Sequence, residues 1–297
     1  PLLAETMVGR SVEMPRRVAG LPRDGTPACE LRAATVHALA GRGRPLLDRL
    51  DLRVQPGEVV AVAGVSGNGQ AVLAELLCGQ RALDAGSLQV SGRALPSRPR
   101  AFVDAGVARI PEDRHAVGLV GDLTLWENAV LERYHRPAYA RFGVLKRRAA
   151  MGDARALVQR FDVRGTEAAG VMTPARRLSG GNMQKLILGR VLTRAGADGH
   201  ASAPPLIVAN QPTWGLDVGA VAYVHRQLLD AAAAGSGVLL ISEDLEEVFA
   251  LADRIAVMHQ GHLSDARPAS AWTLASIGLA MAGGGPRSTT AGAAVTA

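Results

Sequence analysis

Lysine is almost missing from this chain. Of 33 basic residues among 297, only Lys146 and Lys185 are lysines, and arginine supplies the rest. Any site that needs an ammonium group elsewhere is therefore excluded. Cysteine is scarce as well. Cys29 and Cys78 lie far apart in sequence, which excludes a disulfide scaffold and fits a reducing cytosol. Long uncharged runs are few. Gly199 to Leu216 is broken by Pro204, Pro205 and Pro212, and Pro268 to Pro286 is diluted by Ser270, Thr273, Ser276 and Gly283-Gly284-Gly285. Neither reads as a membrane helix. No dense basic run with interleaved aromatics occurs, so the formal charge of +6 is read as a solvated surface and nucleic acid is not expected as a partner. The chain opens Pro1-Leu2-Leu3 without a secretory leader or an initiator methionine, and it is expected to be a piece of a longer polypeptide.

What is present is globular. Apolar residues make up 48% and charged residues 20%, which excludes wholesale disorder. At about 150 residues per domain, the length suits one large domain or two modest ones. Val59 to Ala63 is apolar on both faces, as a central parallel strand should be, and a turn at Pro56-Gly57 precedes it. A glycine-rich stretch from Gly64 to Gly69 follows. A helical pattern then places Val72, Leu73, Leu76 and Leu77 on one face and stops at Gly79. Two further buried-strand runs are Leu206 to Ala209 and Val238 to Ile241, with a helix from about Val218 to Ala234 between them. Asp244 and Glu247 have capping-box spacing for the next helix, and Ile255 to Met258 forms a last strand turning at Gly261. Between about Asp113 and Arg194 the periodicity is helical, as in Ala154, Leu157, Val158 and Phe161. Alternating strands and helices argue for an α/β core with a mostly parallel sheet, interrupted by an inserted helical subdomain.

Strand, glycine loop and helix together place backbone N–H groups around a phosphate. Gly64, Val65, Ser66, Gly67, Asn68 and Gly69 fit the frame of a P-loop, whose next two residues should be lysine and serine or threonine. The ammonium bridges the outer phosphates and the hydroxyl is a magnesium ligand. Here those positions hold Gln70 and Ala71. Glutamine keeps the length and two donors without the charge. Charge-assisted hydrogen bonds contribute roughly 1.5–3 kcal/mol against about 1 kcal/mol for neutral ones, so nucleotide affinity is expected to fall.

Leu178, Ser179, Gly180, Gly181 and Asn182 open a periodic helix near Met183. Asn210-Gln211-Pro212-Thr213 follows an apolar strand, Gly215-Leu216-Asp217 comes next, and Ser242-Glu243-Asp244-Leu245 follows another strand. Pro111-Glu112-Asp113-Arg114 lies earlier. In this order the set resembles the ATP-binding cassette (ABC) ATPases over residues from about 30 to 284. The variants resemble the second, C-terminal half of tandem importer ATPases for simple sugars and nucleosides, with Asn-Gln and Ser-Glu-Asp leaning toward the nucleoside branch. The resemblance implies a P-loop NTPase (RecA-like) core with a mostly parallel sheet, a small antiparallel β part and the inserted α-helical subdomain, at about 113–200. Residues 1–29 are expected to be the tail of a preceding cassette plus a linker, since Met7-Val8-Gly9 echoes Met281-Ala282-Gly283, and residues 285–297 a disordered tail.

The resemblance also assigns roles. Gln70 and Ala71 replace the phosphate lysine and the magnesium hydroxyl. Asn210 stands for the Walker B aspartate, and Gln211 for the glutamate that polarises water. Glu243 stands for the switch histidine, and Glu112 for the Q-loop glutamine. No Phe, Tyr or Trp lies near Gly41, where the family stacks adenine. Together these changes remove charge compensation, metal ligation and water activation, so this half's own site is expected not to hydrolyse ATP, and magnesium there is doubtful. The signature Leu178–Asn182 is intact. In the family two cassettes pair head to tail, so Ser179 and the following N–H groups would meet ATP, with Mg2+, held by the preceding cassette of the same full-length chain, with Asp217 in the D-loop. Implied partners are that cassette, transmembrane permease subunits reached through the Glu112 region and, indirectly, a substrate-binding protein. The implied location is the cytoplasmic face of the membrane. A regulatory ABC module without a permease is the alternative, and an ABC ATPase acting on nucleic acid is disfavoured. His115 and His225 are read as surface or packing residues rather than metal ligands, Trp126 and Trp214 as packing, with an approach to the dimer interface as the alternative for Trp214 beside the D-loop, and Lys146-Arg147-Arg148 as a charged helix surface.

Overall fold

The computed structural model describes residues 13–18, 25–38, 43–166, 169–193 and 203–284. The echo at Met7-Val8-Gly9, the neighbourhood of Gly41 and the tail 285–297 lie outside them. The first two strands among the described residues are ones that the sequence pattern does not locate. β1 (Cys29–Val36) and β2 (Leu47–Val54) pair antiparallel, but the register shifts on either side of Ala34. Ala33 is left-handed there, at φ 46°, and the irregularity breaks the two-residue alternation that would mark a strand.

β3 (Val59–Ala63) is buried at every residue. The glycine loop and α1 (Gln70–Leu77) follow. β4 (Ala85–Val90) then pairs antiparallel with β1, and β5 (Arg93–Ala94) extends that sheet to the order β2-β1-β4-β5. After α2 (Pro99–Asp104), β6 (Val107–Ile110) enters the second sheet. A single π-helical turn, Arg114–Gly118, leaves it.

The inserted region comes next. It holds α3 (Leu125–Val130), the hairpin of β7 (Ala140–Arg141) and β8 (Val144–Leu145), α4 (Arg147–Arg160) and α5 (Gly180–Leu192). α3 starts in a capping box between Thr124 and Glu127. Asn128, fully buried, accepts from Val120 N and donates to the carbonyls of Val120, Leu123 and Thr124. Those bonds hold the loop ahead of the helix without an unsatisfied amide. α4 and α5 touch closely at Gly189, where a Cβ would lie 2.6 Å from Leu157 Cδ2.

The chain returns to the sheet with β9 (Leu206–Asn210), α6 (Val218–Ala233), β10 (Gly237–Ser242), α7 (Leu245–Leu251) and β11 (Arg254–His259). β12 (His262–Leu263) and β13 (Arg267–Pro268) add antiparallel edges, and α8 (Leu274–Met281) closes the described chain. The parallel strands run β11-β3-β10-β9-β6. Val59, Ala61 and Ala63 face one core with the inserted helices, while Val60 and Val62 face another with the antiparallel sheet. A strand buried on both faces needs apolar residues at every position, which is why β3 reads as an unbroken run.

Residues 13–18 lie against this core. Arg17 pairs with Asp253 at 3.0 Å and donates to Gly57 O at 2.6 Å, and its backbone N–H reaches Ala250 O. Asp253 also accepts the N–H of Val59.

Candidate functional site

Register decides what meets at the strand ends. Ala63 pairs with Ser242, and Ile241 with Asn210, so β3, β9 and β10 finish at one edge of the sheet. Parallel α/β sheets bind ligands at this edge, where loops and helix N-termini converge. The residues that follow those strands, Ser66 to Ala71, Gln211 and Glu243, therefore gather around one cleft of about 510 Å³. Glu112 enters its wall from the loop after β6, and Arg44, Gln260 and Gly261 complete it.

The loop is in P-loop form. Gly67 and Gly69 are left-handed, at φ 85° and 118°, a conformation closed to most side chains. Gly69 caps α1, whose first turn has no side-chain acceptor, so its N–H groups face the cleft as an anion cradle would require. Gln70, however, is 8% exposed and folds back on the loop. Its Nε2 donates to Val65 O at 2.8 Å, and its Oε1 accepts Asn68 N–H at 3.1 Å. Gln211 is left-handed at φ 47°, a strained backbone for a non-glycine, and its Oε1 accepts the N–H of Glu243 at 3.4 Å. Glu243 and Glu112 are exposed carboxylates on the same cleft. A magnesium-triphosphate does not fit this set. The hydroxyl ligand position is Ala71, the strand ends in the amide Asn210, and two anions face the space where phosphates would lie. Both lysines are elsewhere: Lys146 donates to Pro137 O and Lys185 to Asp162.

Leu178 to Asn182 lie apart from that cleft, at the start of α5. Ser179 is the helix N-cap and is exposed, yet its hydroxyl does not cap its own helix. Asn182 Nδ2 donates to Ser179 Oγ at 2.8 Å, and Asn182 Oδ1 accepts Arg164 N–H. The first-turn N–H groups thus carry no internal side-chain acceptor, and the dipole leaves them positive. A Cβ at Gly181 would sit 3.3 Å from Ala220 Cβ and 3.9 Å from Asp217 Oδ2, so glycine lets α5 close on the start of α6. Asp217 caps α6 through Ala220 N–H.

Arg114, in the turn after β6, links these pieces. It is 7% exposed and donates to Trp214 O at 2.7 Å. Its guanidinium is the nearest group that a Cβ at Gly180 or Gly215 would meet, at 3.6 Å. Burial lowers its affinity for a proton, partly offset by Asp113. Asp113 in turn accepts the N–H groups of Ala116 and His115, which hold its carboxyl below the ordinary range. A second cleft of about 500 Å³ runs from Glu112 and Arg114 past Arg109 to Ala74 and Trp214.

Two sequence expectations need correction. Glu247 does not complete a capping box. Asp244 caps α7 alone, while Glu247 is 2% exposed, accepts from Thr213 Oγ1 at 2.9 Å and lies 3.0 Å from His225 Nε2. A buried carboxylate gains more from two close partners than from returning to an exposed backbone N–H. His225 packs in the core as expected, but as one half of this pair, which sequence spacing did not signal. Trp214 does not pack: it is 65% exposed, because the turn after Pro212 points it outward, whereas Trp126 is 3% exposed.

A P-loop at the end of a central parallel strand, with an antiparallel sheet on one side and an inserted helical region on the other, defines an ABC-type nucleotide-binding domain. The comparisons agree. The family described as ABC transporter matches residues 47–196, and the chain belongs to that family. It is 44% identical to the glucose import ATP-binding protein TsgD13 of Haloferax volcanii over 99% of this chain and 51% of that protein. It is 38% identical to the nucleoside import ATP-binding protein NupA of Lactococcus lactis over 95% of this chain and 53% of that protein. The guanosine import ATP-binding protein NupO of Bacillus subtilis is 39% identical, over 95% and 52%. The chain thus spans about half the length of the curated relatives it matches. Among solved structures, a nucleotide-free cassette from an ABC transporter superposes with a TM-score of 0.65 at 19% identity, covering 82% of this chain and 91% of that one. A dimeric cassette in a post-hydrolysis state gives 0.65 at 18%, covering 81% and 98%.

Proposed function

We propose that this chain is the second, degenerate cassette of a tandem import ATPase. Its role is to offer Leu178–Asn182 to ATP and magnesium held by a preceding cassette. It would thereby power uptake of nucleosides or simple sugars through a transmembrane permease on the cytoplasmic face of the membrane. The relatives named for glucose, nucleoside and guanosine import support the substrate class, and their doubled length leaves room for the preceding cassette.

One contrast carries the reading. The N-terminus of α5 keeps an uncapped first turn behind an exposed Ser179, while the home cleft has an amide for the lysine, an alanine for the hydroxyl and amides for both Walker B carboxylates. Hydrolysis needs charge compensation and an oriented water at the same phosphate, and the home cleft lacks the loop lysine and the water-polarising carboxylate, while Arg44 on its wall is bonded to Gln260.

The upstream reading frame and one assay test it. The expected results are an intact cassette encoded ahead of residue 1 and no ATPase above background from residues 1–297 alone. A stop codon or an unrelated domain upstream, or brisk magnesium-dependent phosphate release, overturns it.

A further inference from the structure

We infer that the Gln70 side chain is a built-in occupant of the phosphate cradle and the residue that sets this cleft's selectivity against polyphosphates. The inference rests on reading Gly64–Ala71 as a nucleotide loop and needs no second cassette.

The amide reaches across the loop like a strap. Nε2 holds Val65 O at 2.8 Å and Oε1 holds Asn68 N–H at 3.1 Å, so one side chain joins both limbs of the turn. Asn68 tightens the same knot. Its Nδ2 also donates to Val65 O at 2.8 Å, its Oδ1 accepts Gln260 N–H at 2.7 Å, and its carbonyl accepts Gly261 N–H at 2.8 Å. The fit is close at Gly64, where a Cβ would stand 2.6 Å from Gln70 Nε2. Any larger residue at that position would push the strap out.

A phosphate entering a P-loop is bound by loop N–H groups. Here the Asn68 donor is already taken by the amide oxygen. An ammonium at residue 70 would be drawn off the loop carbonyl by an arriving anion, because the charged bond is the stronger one. A neutral amide gains far less by moving, so it stays. Gln70 thus opposes polyphosphate twice, by carrying no charge and by occupying the Asn68 donor of the loop.

The two effects separate experimentally. Gln70→Ala and Gln70→Met remove the strap without adding charge, and methionine keeps the volume. Binding of inorganic tripolyphosphate to the 297-residue chain is measured by calorimetry, with a thermal melt as the folding control. Both variants are expected to bind roughly threefold tighter or more, the scale of one neutral hydrogen bond released. Affinity that stays level or falls in both overturns the inference. If either variant fails to fold, amide exchange of wild-type Asn68 decides: a protected N–H upholds the strap, and an N–H exchanging as fast as an open loop overturns it. An active home site with a tighter Gln70→Ala variant would sink the proposed function and leave this inference standing.

Discussion

Arg114 reaches from the turn after β6 to the backbone carbonyl of Trp214, a 2.7 Å bond that ties that turn to the one following Pro212. The same guanidinium stands 3.6 Å from where a Cβ would sit on Gly180, so one buried cation lies near three segments that are far apart in sequence. Among the described residues its Nε finds no hydrogen-bond partner, so the arrangement rests on the bond to Trp214 and on packing. Hydrogen bonds from charged donors contribute about 1.5–3 kcal/mol. Arg114→Met is expected to lower unfolding stability by about that much. Arg114→Lys should fall between it and the wild type, since an ammonium keeps the charge without the planar fork. A urea titration reads both, and an unchanged midpoint in Arg114→Met contradicts the role.

The inserted helices depend on one glycine. At Gly189 of α5 a Cβ would meet Leu157 Cδ2 at 2.6 Å and Phe161 Cδ2 at 3.1 Å. Both neighbours are buried, so neither can swing into solvent. Gly189→Ala is expected to cost about 1–3 kcal/mol through overpacking, despite alanine's better helix propensity. Thermal denaturation checks this, and a stabilised variant would mean that α4 moves away freely.

The two thiols set an alkaline limit. Burial pushes Cys29 from an ordinary 9.0 up to about 12, with Glu30 adding to it. Burial does the same to Cys78, also to about 12. The folded values lie above the unfolded ones, so this stabilisation is complete below pH 9 and is lost as the pH rises from 9 toward 12. Native protein should resist maleimide at pH 8, and denatured protein should react at both thiols. Fast native labelling would contradict their burial.

Much of the site was legible because its motifs are short and local. Gly64–Ala71 and Asp217 sit on strand–loop–helix junctions, and Leu178–Asn182 opens a helix after a 3-10 turn, so periodicity changes within a few residues at each. β3 and β10 were legible for a different reason: burial on both faces leaves nothing polar in the run. β1 and β2 were not, since bulges beside Ala34 scramble the alternation. The Glu247–His225 pair was hidden because Glu247 satisfies a local capping pattern equally well, and only tertiary packing decides which partner wins. Nor could spacing show that the Gln70 amide lies along its own loop, because a side chain of that length reaches solvent or backbone with equal ease.

The most direct test compares two substitutions in the full-length chain, assayed for steady-state ATP turnover. Ser179→Arg plants a long cation on the open end of α5, whereas Gln211→Ala alters only the home cleft. The division of labour between those two places requires that Ser179→Arg abolish turnover and that Gln211→Ala leave it within about twofold of wild type, a change under about 0.5 kcal/mol in barrier. Comparable loss from both substitutions, or full activity in Ser179→Arg, would contradict it.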